Sequence, residues 1–174
     1  MHIIIAVLGA VAAICFFVIR ARNAAHVAGE LVDVANDVRL AARRFGFRRQ
    51  TNVHPVETIE DPRLAVGAIA TAFLELDDLP TKDQRKALHH SLRDTYNLSS
   101  DAAEEITVLG HWFVSECGGP DTAVSRLARK LFKLEGSASF ETMLALIRNS
   151  IGESGLNHKQ REALDDIRRA FKIR

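Results

Sequence analysis

The sequence predicts an all-α protein in three parts: an apolar helix that crosses a membrane once, an amphipathic helix that continues from it, and a multi-helix bundle. Three observations carry this prediction. An unbroken apolar run fills positions 3–19, and beyond it apolar residues recur at alternating spacings of four and three as far as Phe45. From Asp61 onward, segments of similar length open on capping residues and close on glycine, proline or acidic turns, with no sustained strand alternation.

The first part, residues 1–20, is the membrane anchor. Ile3, Val11, Phe16 and Ile19 belong to a stretch of 17 residues without a charged side chain. As a helix it covers about 25 Å, close to the roughly 30 Å hydrocarbon core, so it spans with its flanks at the interface. Only Met1 and His2 precede the run, which lacks the basic start of a secretory signal. Cys15 follows Ile14, whereas a lipoprotein site prefers a small residue there. Arg20 and Arg22 come directly after the span, and positive charge stays on the cytoplasmic side. The expected topology is single-pass in a bacterial inner membrane, with the N-terminus outside and the C-terminal domain cytoplasmic.

Residues 21–47 form the amphipathic juxtamembrane helix. Val27, Leu31, Val34, Val38 and Phe45 make a heptad seam, flanked by Glu30, Asp33 and Asp37. This seam is the expected partner interface, and three occupants compete for it: the protein's own domain, a second copy through a short coiled coil, or another protein of a membrane complex. Arg39, Arg43, Arg44, Arg48 and Arg49 form a basic patch around Phe45 and Phe47. On a straight helix the patch begins about 30 Å from the membrane boundary, beyond the roughly 8 Å screening length, which favours solvated charge or an acidic partner over lipid. The chain carries no recognisable nucleic-acid motif, and no nucleic-acid partner is expected. The bilayer is the lipid partner of the N-terminal helix alone.

A linker at 48–60, with Gln50, Asn52 and Pro55 and no clear period, leads to the bundle at 61–174. Asp61 before Pro62 is an N-cap followed by proline at the first helical position. Thr81 with Gln84, and Asn157 with Gln160, have the spacing of a capping box. Ser99 or Ser100, Asp121, and Ser137 or Ser139 open the helices between, and the breaks fall near Gly118, Gly136 and Gly152. The chain also echoes itself: DLPTKDQRKAL at 78–88 and SGLNHKQREAL at 154–164 share Gln, Arg, Ala and Leu in register.

The stretches DPRLAVGAIATAFLELDD at 61–78, NLSSDAAEE at 97–105 and SGLNHKQREAL at 154–164 resemble the TerB-like family, named after a tellurite-resistance protein. The resemblance covers roughly Glu60 to Arg174. It implies a compact helical bundle that works through partners, and acidic turns with a role in binding metal ions. Carried onto this chain, that role falls on Asp77, Asp78 and Asp83, near Glu75, whose carboxylates are hard ligands for a divalent cation. The residues alone also fit acids gathered where the dipole of the next helix favours them.

No constellation for catalysis is legible. His111 and Cys117 are six apart on one helix and point to different faces, and the adjacent His89 and His90 cannot share a face. No phosphate loop, dinucleotide fingerprint or paired-histidine zinc motif occurs, so neither an enzyme nor a cofactor is expected. The expected function is a membrane-anchored, non-catalytic interaction module, a scaffold or accessory subunit of a membrane complex on the cytoplasmic face. The alternative is a membrane-tethered stress-response module that binds a divalent metal through its acidic turn.

Overall fold

At the centre lies α1 (Pro62–Glu75), a helix whose eleven residues from Leu64 to Leu74 are all buried. A helix apolar on one stripe buries one face, whereas a helix apolar all round must be enclosed. Enclosure here depends on small residues: Ala65, Gly67, Ala68, Ala70 and Ala72 let neighbouring helices come close to the backbone. Asp61 caps the start, its Oδ1 accepting from Arg63 N–H at 2.9 Å, and Pro62 stands at the first turn.

The computed structural model describes residues 52–77, 80–152 and 155–173. Among them there are six helices and no strand. After α1 come α2 (Lys82–Tyr96), α3 (Ser100–Glu116), α4 (Pro120–Glu135), α5 (Phe140–Ile151) and α6 (His158–Ala170). α1 packs against α3, α4 and α5; α2 lies mainly on α5, and α6 on α4. The bundle is therefore an all-α fold around one buried helix. Among the described residues no helix is long and apolar enough to cross a membrane; the apolar run at 3–19 lies outside them.

Two glycines set the α1–α3 crossing. A Cβ on Gly67 would stand 2.1 Å from Ile106 Cγ2, and one on Gly110 would stand 2.7 Å from Thr71 Oγ1. Glycine inside a helix costs about 1 kcal/mol against alanine, and here it is what lets the two backbones approach. The Thr71 hydroxyl donates to Gly67 O at 2.9 Å, which keeps this polar side chain satisfied inside the contact.

The echoed turns share their chemistry. Thr81 Oγ1 accepts from Gln84 N–H at 3.1 Å while Gln84 Oε1 accepts from Thr81 N–H at 2.8 Å. Asn157 Oδ1 accepts from Gln160 N–H at 2.8 Å while Gln160 Oε1 accepts from Asn157 N–H at 3.1 Å. Both glutamines are buried, because the reciprocal box holds their amides back against the helix start. Asn157 Nδ2 also donates to Leu76 O at 3.2 Å, so the second echoed turn caps the end of α1. The matching leucines differ, however: Leu88 is buried, and Leu164 is half-buried.

Two boundaries depart from the sequence reading. The expected linker at 48–60 ends in packed structure, a 3-10 turn (Pro55–Thr58) with Val56 and Ile59 fully buried. Lys130 Nζ donates to Glu57 O at 2.7 Å and fastens that turn to α4. The missing helical period there reflected a short turn whose two apolar residues face the core. The helix expected to open on Asp121 begins one residue earlier, at Pro120, with Gly119 at the cap position and no side-chain cap. Ser139 likewise makes no cap for α5; its hydroxyl bonds Glu135 instead.

Candidate functional site

Between the second half of α1, the start of α2 and the middle of α3 lies an open cleft of about 240 Å³. Leu74 from α1, Leu88 from α2 and Pro80 from the connecting turn make its floor, so the lining is mostly apolar. Its edge is polar. Glu75, the last residue of α1, holds His111 of α3 through Oε1 and Nδ1, although 36 positions separate them in the chain. This bond ties the end of the central helix to α3 across the cleft.

His89 binds the other wall. Its Nε2 lies 3.1 Å from Ser100 O and 3.3 Å from Ser100 Oγ, linking α2 to the first turn of α3. Its neighbour His90 points outward and pairs with Asp94 at 3.1 Å, as adjacent helical positions require. Arg85 also lines the cleft, is exposed, and has no ion-pair partner among the described residues.

The hydroxyls of the cleft are already committed. Thr71 donates to Gly67 O, and Thr107 donates to Glu104 O at 2.7 Å. Glu75 and His111 thus orient one another with no free hydroxyl donor beside them, an arrangement suited to holding a ligand group rather than to activating a nucleophile. Cys117 stands apart at the end of α3, where burial pushes its thiol up and disfavours the reactive thiolate.

Of the residues singled out in the sequence, Asp83 lies exposed in the first turn of α2 and Asp77 follows the end of α1. Asp78 lies outside the described residues. Among the described residues no three His, Cys, Asp or Glu side chains gather into a metal-holding group. The anchor residues Ile3, Val11, Phe16 and Ile19, the seam Val27, Leu31, Val34, Val38 and Phe45, and the arginines at 39, 43, 44, 48 and 49 also lie outside them. The cleft residues Arg85, His89 and His111 were not legible as a group. Their apposition depends on the α1–α3 crossing, and a lone glutamate at a helix end gives no sign of a histidine 36 positions on.

No protein-family model matches the chain. No curated protein and no solved structure matches it.

Proposed function

We propose that this chain is a membrane-tethered helical interaction module, a scaffold or accessory subunit that presents a TerB-like bundle to another protein of a membrane complex on the cytoplasmic face. The observation that carries the reading is the α1–α2–α3 cleft. The cleft is open and its lining mostly apolar, its edge offers Arg85 and the Glu75–His111 pair, and its hydroxyls are spent on the backbone. Apolar floors with a few oriented polar groups are the usual form of a recognition site. The apolar run at 3–19, followed by Arg20 and Arg22, supports the tether and its orientation. The seam from Val27 to Phe45 supports a second contact with the complex.

Co-purification from mildly solubilised membranes tests this reading, with the full chain as bait and two variants beside it. Thr107→Trp fills the cleft from a half-buried position on α3. Leu31→Asp with Val38→Asp puts charge into the seam. The cleft reading expects one stoichiometric protein to accompany the wild type and to be lost with Thr107→Trp, while the thermal transition of the bundle stays in place. Recovery unchanged by Thr107→Trp but abolished by the seam variant would move the interface to the juxtamembrane helix and refute the cleft.

A further inference from the structure

The sequence echo has a counterpart in space. A second open groove, of about 210 Å³, lies between α5, α6 and the turn that joins them. A shift of 76 positions aligns the two echoed segments, and the same shift carries four of the residues that line the first cleft onto residues that line this groove. Leu88 becomes Leu164 and Pro80 becomes Leu156; Thr71 becomes Ile147 and Glu75 becomes Ile151, and every one of these residues lines its own cavity. Leu164, half-buried where Leu88 is buried, packs against the core and also lines this groove.

The exchange runs in one direction. Two polar positions of the first cleft, Thr71 and Glu75, are isoleucines in the second, whose charge stands at the rim as Arg148 and Arg168. Arg148 is exposed and has no ion-pair partner among the described residues, while Arg168 meets Asp165 at 3.4 Å with both side chains well exposed. Arg161 lies one turn before Leu164 on the same face of α6 and adds a third exposed cation. Leu144, Leu156 and Leu164 are half-buried beside these charges.

We propose that the α5–α6 groove docks an acidic amphipathic helix of a partner protein. A helix laid in a groove anchors through apolar residues three and four apart, here over Leu144, Leu156 and Leu164. Carboxylates flanking that stripe meet Arg148 and Arg168, whose planar forks bind carboxylate in a bidentate manner. A basic helix of the same shape is repelled by the same rim. The proposal does not rest on the first cleft, which differs in lining and in charge.

The test uses the full chain in nanodiscs of zwitterionic lipid and two labelled synthetic helices, read by fluorescence anisotropy. One helix has leucines at alternating three- and four-residue spacings flanked by glutamates; its twin has lysine at every glutamate. The glutamate helix is expected to bind saturably and the lysine twin not to bind. Arg148→Glu with Arg168→Glu is expected to weaken the glutamate helix by about tenfold or more and to admit the lysine twin. Both arginines are exposed, so the variant should keep its melting transition; if it does not fold, Arg148→Ala alone is read in the same way and must weaken the glutamate helix. Absence of saturable binding, equal binding of the two helices, or indifference to the arginine changes would overturn the proposal.

Discussion

Replacing Phe73 with alanine is expected to destabilise the bundle by about 3–5 kcal/mol, the range for removing a fully buried aromatic side chain. Phe73 has no exposed surface and stands on the helix that α3, α4 and α5 enclose, so its surroundings can close only partly over the space it leaves. Phe132 is the appropriate comparison. It is half-buried on α4, with its ring 5.7 Å from that of Phe171 and the Lys172 ammonium 5.3 Å from its centroid. Phe132→Ala should cost clearly less, since part of its surface already faces water. Urea unfolding reads both, as a fall in midpoint at unchanged slope. Equal losses at the two positions would mean that α1 is not the centre of the core.

Gly67→Val is expected to cost at least about 3 kcal/mol, the upper end of what overpacking does. A Cβ at this position already overlaps Ile106 Cγ2 at 2.1 Å, and Leu92 Cδ2 stands at 3.3 Å on the other side. Ile106 is fully buried and β-branched, so its χ1 has little freedom to turn the methyl away. Ile106→Ala alone should cost about 2–5 kcal/mol for the cavity it opens. Combined, the two changes should cost well under their sum, because valine at 67 enters the space that isoleucine vacates. Strict additivity in the double-mutant cycle would show that the two residues do not meet at the crossing.

Much of the fold was legible because helix ends are written in local chemistry. Asp61 with Pro62, Thr81 with Gln84, and Asn157 with Gln160 each satisfy backbone donors within one turn, and all three act as the sequence implied. Ser99 caps α3 in the same way, and Gly136 and Gly152 end helices with positive φ. The failures came where the expected residue forms no side-chain cap. Ser139 and Asp121 have the right residue types, but the Ser139 hydroxyl is drawn to Glu135 and α4 begins at a proline that needs no donor satisfied.

Tertiary relations were harder to read for a physical reason. Burial of α1 all round depends on its alanines and Gly67, which have little apolar surface to announce it. The Glu75–His111 and His89–Ser100 bonds join residues 36 and 11 positions apart, and neither residue type nor local spacing marks such pairs. The echo at 78–88 and 154–164, by contrast, pointed correctly to two helix starts of the same capping chemistry, and the structure adds that the second holds the end of α1 through Asn157 and Leu76.

The claim that most needs testing is the tether, and alkaline carbonate washing of membranes tests it directly. The full chain should stay in the membrane pellet, because a spanning apolar helix resists loss of peripheral charge contacts. A chain beginning at residue 50, which retains every buried apolar residue of the described core from Val56 to Phe171, should be released and should melt as a folded bundle. Recovery of the full chain in the carbonate supernatant would contradict the membrane-tethered account.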